Sequence, residues 1–276
     1  MSQVAAAPQT EGEAEIIAGL MERARTAMAA LAAADQARVD EAVTALAWSI
    51  YKPERAEELA ELAVLDTGLG NAESKIIKNQ RKTFGCLRDL MRAKTVGVIE
   101  EDKAKGLVKY AKPVGVVAAI APSTNPAATP VNKAMMALKG ANAVIVAPSP
   151  AGANTTTKTV DYMRDELEKI GLPADLVQVL PQPVNKALTQ TLMEAADLVV
   201  VTGPQNNVRR AYSSGTPAIG VGAGNVSVII DSGADLKDAA DKITQSKIFD
   251  NATSCSSENA LIILEDVYDA ALEALK

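Results

Sequence analysis

The chain has 276 residues, 48% hydrophobic and 22% charged, with a net charge of −6 and no histidine. That length and balance describe a folded chain with a sizeable core, in one large domain or two ordinary ones, and exclude a disordered protein. The missing histidines exclude Ser-His-Asp and Cys-His pairs and every His-ligated metal, and two distant cysteines, Cys86 and Cys255, form neither a disulfide framework nor a zinc site.

The start, residues 1–15, has no basic stretch followed by an apolar one and does not read as a signal peptide. No apolar run approaches the roughly 20 residues a membrane helix needs. No basic patch with interleaved aromatics points to nucleic acid. A reducing setting fits, the cytosol or a compartment within it. Apolar residues at helical spacing predict helices over 13–34, 36–51 and 53–67, with Pro53 in the first turn of the third. "TGLG" at 67–70 punctuates, and 71–91 is helical again. The β-rich runs 95–102 and 106–115 around "EDKAKG" predict an antiparallel hairpin that packs or makes an oligomer contact.

From Val114 onward strands alternate with helices. "VGVVAAI", "AVIVAP", "LVQVL", "DLVVVTG" and "VSVII" are nearly uniformly apolar, as strands covered on both faces are. The alternation predicts an α/β fold with a Rossmann-like, doubly wound parallel sheet, which binds ligands at the carboxyl ends of its strands. The expected division is a helical part (1–94), the hairpin (95–113), a Rossmann-like core (114–248) and the start of a second α/β domain (249–276).

Small, polar or proline-containing segments follow the strands: "APSTNPAATP", "SPAGAN" and "PQNN". Each leads into a helix, which suits a nucleotide with its phosphates near helix amino termini. Asn125 reads as the cap of a helix beginning at Pro126, Pro204 as a first helical residue and Gly203 as a point of close backbone approach. No GxGxxG follows the first strand, and "GVGAGN" at 220–225 lacks the strand–glycine–helix order of a dinucleotide fingerprint. A faint likeness of 211–224 to the serine-rich segment of amidases lacks their glycine density and a lysine segment.

Cys255 stands in "FDNATSCSSENAL", among small polar residues just after a predicted helix. A structural or surface thiol is the bland reading. The neighbourhood instead offers close approach and several backbone N–H groups, which stabilise a thiolate without histidine. Cys86, on a helix with apolar neighbours, reads as structural.

Taken together, "DTGLGNAESKIIKN", "APSTNPAATP", "VVVTGP", "GVGAGNVSVII" and "FDNATSCSSENALII" resemble the aldehyde dehydrogenase superfamily, most closely its CoA-acylating branch. The resemblance covers about Asp66 to Leu264. It implies NAD(P)-dependent oxidation of a small aldehyde to its acyl-CoA, reversibly, with Cys255 as nucleophile and Asn125 as oxyanion donor beside the Cys255 N–H. Pro122, Ser123, Thr124, Ser149, Pro150, Thr202, Gly203, Pro204 and Gly222 would hold the dinucleotide, and no metal is implied. The hydrolytic relatives carry a water-activating glutamate where this chain has Gly220, so the expected acyl acceptor is CoA. "APSP" replaces their ribose-binding Lys-Pro-x-Glu, so the cofactor is NAD or NADP. A two- to four-carbon aldehyde is expected, sulfoacetaldehyde being the specific candidate, in a homo-oligomer when full length. The chain stops inside a predicted helix, before much of the branch's substrate pocket, which predicts weak or no turnover for these residues alone. The alternatives are a truncated, non-catalytic nucleotide-binding or assembly module and a thiol redox sensor at Cys255.

Overall fold

A computed structural model describes residues 11–276; the signal-peptide reading therefore rests mostly on residues outside the described ones. Four helices come first: α1 (Glu11–Met28), α2 (Gln36–Tyr51), α3 (Pro53–Thr67) and α4 (Ala72–Leu90). Their ends have local causes. Asp35 accepts from the Arg38 N–H at 2.8 Å at the start of α2, Pro53 opens α3, and Gly68, at φ 65°, closes it in the left-handed region. Asn71 caps α4 by accepting from the Ser74 N–H at 2.9 Å. The hairpin follows as β1 (Val98–Asp102) and β2 (Leu107–Tyr110), paired antiparallel.

The centre is a parallel sheet of β3 (Val116–Ile120), β4 (Ala143–Ala147), β5 (Val177–Val179), β6 (Leu198–Thr202) and β7 (Ala218–Val221), in the order β5-β4-β3-β6-β7. The chain leaves β3 toward one edge and returns beside it as β6, so the topological switch lies between these two strands. The connecting helices are α5 (Ala128–Lys139), α6 (Ala153–Lys169), α7 (Lys186–Ala195) and α8 (Gln205–Tyr212). Every residue of β3 and β4 is buried, as their unbroken apolar runs require. Helices α2, α5 and α6 pack together around Leu46, Ile50, Leu138 and Met163, all fully buried.

The strand read at 226–230 does not join this sheet. As β8 (Val226–Ile230) it pairs in parallel with β9 (Glu258–Ile263), with α9 (Leu236–Ile248) between them and α10 (Tyr268–Leu275) after. The fifth strand of the central sheet is instead "AIGV", β7. It lies half-exposed at the edge and contains a glycine, so it lacks the apolar run that marks its neighbours. Among the described residues no helix is long and apolar enough to cross a membrane.

One buried lysine braces the switch point. Lys133 on α5 donates to the carbonyls of Ile120, at 2.6 Å, and Val200, at 2.9 Å, near the ends of β3 and β6. Burial drives its pKa down to about 7 from 10.5. Between these values the unfolded chain binds the proton and the folded one does not, so stability rises with pH across that window. Lys133→Met removes this gain and the two bonds from the amine to the carbonyls of Ile120 and Val200. The destabilisation it causes should grow as pH rises above 7, by up to about 1.4 kcal/mol per unit, in denaturant unfolding of both proteins at matched pH.

Candidate active site

The carboxyl ends of β3, β4, β6 and β7 open into one cleft of about 650 Å³, a volume typical of small-molecule sites. After β3 come Pro122, Ser123, Thr124 and Asn125. Ser149 and Pro150 follow β4, Thr202, Gly203 and Pro204 follow β6, and Gly222 follows β7; Cys255 closes the far side. All eleven residues singled out in the sequence therefore line the same cleft.

Two details differ from the sequence reading. Helix α5 begins at Ala128, not Pro126, and Asn125 does not cap it. The Pro126 carbonyl accepts from Thr156 Oγ1 at 2.9 Å, and Pro126 packs so closely that a Cβ on Gly152 would lie 2.8 Å from its own Cβ. That turn delays the helix, and the Asn125 amide stays at the cleft without serving as a cap. Pro204 sits at the capping position of α8, one residue before the helix starts.

The "DTGLG" segment organises both sides of the cleft. Asp66 accepts from the Thr155 N–H at 2.8 Å and from its hydroxyl at 2.7 Å, fixing the first turn of α6 beyond Ser149. Gly70, at φ 71°, has no room for a side chain, since a Cβ there would sit 1.9 Å from Asp250 Oδ1.

Asp250 is the anchor of the cysteine loop. It is fully buried, and Asp250, Asn251 and Ala252 take φ of 53°, 53° and 60°, a conformation that residues with a Cβ adopt only when held. The Asn71 N–H donates to Asp250 Oδ1 at 3.0 Å; Lys75 Nζ at 3.2 Å, Thr253 Oγ1 at 2.7 Å and the Lys78 ammonium donate to Oδ2. The Asp250 N–H donates to Ser74 Oγ at 3.1 Å, and Asn251 Nδ2 to the Gly70 carbonyl at 3.0 Å. Burial acts to raise the Asp250 pKa, but the bonds from Lys78, Thr253 and Asn71, with the Lys78 charge, outweigh it and hold the carboxyl below its usual value. Burial likewise pushes Lys75 down, against the pull of Asp250. Five residues past this anchor, Cys255 is exposed at the cleft wall. Cys86 is partly buried against the core, and burial, with Asp89 nearby, pushes its thiol up.

Sequence reading missed the cations. Lys78, Lys82, Lys186 and Arg210 line the cleft, and no carboxylate does so among the described residues. Positive charge gathered in a chain of net charge −6 suits a ligand bearing phosphates. Lys75, Lys78 and Lys82 follow one face of α4, a spacing that reads as a solvated stripe, and only the fold turns it inward. Gly220 does not line the cleft. A Cβ there would lie 2.7 Å from Val208 Cγ1 and 3.1 Å from the Tyr212 ring, and its N–H donates to the Tyr212 hydroxyl at 3.1 Å.

The aldehyde dehydrogenase family model matches residues 2–276. The acylating sulfoacetaldehyde dehydrogenase of Cupriavidus necator is 58% identical over 265 residues, covering 96% of this chain and 54% of that protein. The acetylating succinate-semialdehyde dehydrogenase of Clostridium kluyveri is 42% identical, over 92% of this chain and 56% of its own length. An acetylating aldehyde dehydrogenase from Geobacillus thermoglucosidasius superposes with a TM-score of 0.89 at 36% identity, covering 96% of this chain and 58% of that one. The chain thus spans about half the length of these relatives.

Proposed function

The chain belongs to the aldehyde dehydrogenase family, and from that premise we propose that it carries the nucleotide-binding and nucleophile-bearing part of a CoA-acylating enzyme. The reaction is oxidation of a small aldehyde to its acyl-CoA, with sulfoacetaldehyde the leading substrate, as named for the Cupriavidus necator relative. The observation that carries this reading is the meeting of Cys255 and Asn125 in one cleft with the ends of β3, β4 and β6.

Cys255, as thiolate, forms a C–S bond to the aldehyde carbon while the carbonyl π pair moves onto oxygen. The Asn125 amide and the Cys255 N–H donate to that oxyanion. A bound NAD or NADP supplies the hydride acceptor. Residues 122–124 and 202–204, with Ser149, Pro150 and Gly222, would hold the dinucleotide at the strand ends. A would-be Cβ on Gly203 meets nothing nearer than 3.7 Å, which leaves its backbone open to a phosphate, and Lys186 and Arg210 in the same cleft suit that group. As the carbonyl reforms and hydride departs, Cys255 is left as a thioester. The CoA thiolate then bonds to the acyl carbon and the Cys255 thiolate leaves. Gly220, packed against Val208 and Tyr212, offers no base for water, which favours a thiol acceptor. Self-association through the hairpin, where Ile99, Leu107, Val108 and Tyr110 are exposed, belongs to the same proposal, as does a cytoplasmic or microcompartment setting.

The test uses the protein as its native gene encodes it, with sulfoacetaldehyde, NAD(P) and CoA, following reduced nicotinamide. Equal turnover without CoA overturns the acceptor assignment. Asn125→Ala should lower kcat by about 10²- to 10³-fold with a smaller effect on KM, as loss of an oxyanion donor does. The second reading is a non-catalytic nucleotide-binding or assembly module. Dinucleotide binding without any CoA-dependent product would support that one.

A further inference from the structure

We propose that the cysteine end of the cleft recognises an acid group carried by the aldehyde, through the Lys82 ammonium and the Asn132 amide. The inference rests on the acylating reading above and names the residues that select its substrate: a sulfonate or carboxylate close to the carbonyl.

Three observations converge on it. Of the two α4 lysines at this end, Lys78 is engaged by Asp250, whereas Lys82, one turn further on the same face, meets no carboxylate among the described residues. Its ammonium donates to Ser256 Oγ at 3.3 Å, and Ser256 shares a 3.0 Å hydroxyl contact with Ser254 across Cys255. Ser256 follows Cys255 directly in the chain, and Lys82 and Cys255 both line the cleft.

Helix α5 supplies Asn132 to the same cleft. Its Oδ1 is buried without a hydrogen-bond partner, so no bond at that oxygen fixes which end of the amide faces the cleft. An amide free of partners turns either end toward the cleft, so it can donate to an anionic oxygen. Finally, no Phe, Tyr or Trp lines the cleft among the described residues, and neither does any Asp or Glu. Pockets for apolar tails are mostly hydrophobic and aromatic, whereas this end offers cations, hydroxyls and an unpaired amide.

Two measurements on the native gene product test the assignment. The first is the ratio of kcat/KM for sulfoacetaldehyde to that for acetaldehyde. It should fall about 10- to 100-fold in Lys82→Gln, mainly through KM, as expected for a lost charged hydrogen bond, and Lys82→Arg should restore it. Equal losses on both aldehydes, or a change confined to the KM of CoA, overturn the proposal. The second needs no turnover: 2-hydroxyethanesulfonate should protect Cys255 from iodoacetamide in the wild type, far less in Lys82→Gln or Asn132→Asp, and 1-propanol in neither. Absence of that protection overturns the anion site even if CoA-dependent oxidation is found. Failure of all CoA-dependent oxidation alongside intact protection overturns the acylating reading alone.

Discussion

Cys255→Ala should abolish CoA-dependent aldehyde oxidation, lowering kcat by at least about 10⁴-fold. The size is that expected on losing a covalent nucleophile, and the other cysteine of this chain, Cys86, sits on α4 against the core with its thiol pushed up by burial. Dinucleotide binding should survive, because its proposed contacts sit on the central sheet and its loops rather than on the cysteine segment. Rapid-quench detection of acyl-enzyme in the wild type and its loss in the variant checks the assignment. A variant that keeps more than a few per cent of wild-type turnover overturns covalent catalysis at this residue.

The second large effect is expected away from the reacting atoms. Asp250→Ala leaves Lys75 and Lys78 buried without their carboxylate and releases three consecutive residues from positive φ. Removing one partner of a buried ion pair typically costs about 3–5 kcal/mol. The midpoint of denaturant unfolding should drop accordingly, and the rate of Cys255 alkylation should change as the loop loses its fixed shape. Gly70→Ala should act on the same joint from the other side, since its Cβ would meet the carboxylate at 1.9 Å. The two changes share one interaction, so their combined effect should fall short of their sum. Acid should mimic the loss. The Asp250 pKa is held below its ordinary 3.8, so its contribution is present at neutral pH and fades as pH falls below that value and through the folded one. A loss under about 1 kcal/mol in Asp250→Ala would leave the loop anchored elsewhere.

How much of this was legible in the sequence depends on what each residue answers to. Helices α2 and α3 match the predicted 36–51 and 53–67 because their caps, Asp35, Pro53 and Gly68, are local signals. Strands β3 and β4 were legible because burial on both faces demands unbroken apolar runs. The strand-end residues followed from that, since a parallel sheet presents its carboxyl ends together. β7 was not legible: an edge strand tolerates exposure, and its Gly220 answers to Val208 and Tyr212 on α8. The pairing of β8 with β9 was hidden for a similar reason, because a strand's composition does not say which partner it takes. Asn125 was legible as a polar residue after a strand, but its freedom from capping depends on Thr156 holding the Pro126 carbonyl, a contact 30 residues away in the chain. Lys82 and Asn132 carry no local mark; each looks like an ordinary polar position on an amphipathic helix until α4 and α5 are brought together.

The joint between Gly70 and Asp250 also limits how this chain can exchange parts with its relatives. A cysteine loop from a homologue lacking the aspartate would strand two buried lysines, and an α3–α4 turn with a side chain at position 70 would be blocked by the resident loop. Gly70, Lys75, Lys78 and Asp250 therefore behave as one heritable character spread over 181 residues of chain. With a homologue that lacks the aspartate or the glycine, a crossover between positions 78 and 250 should destabilise the chimera, whereas moving all four residues together should not.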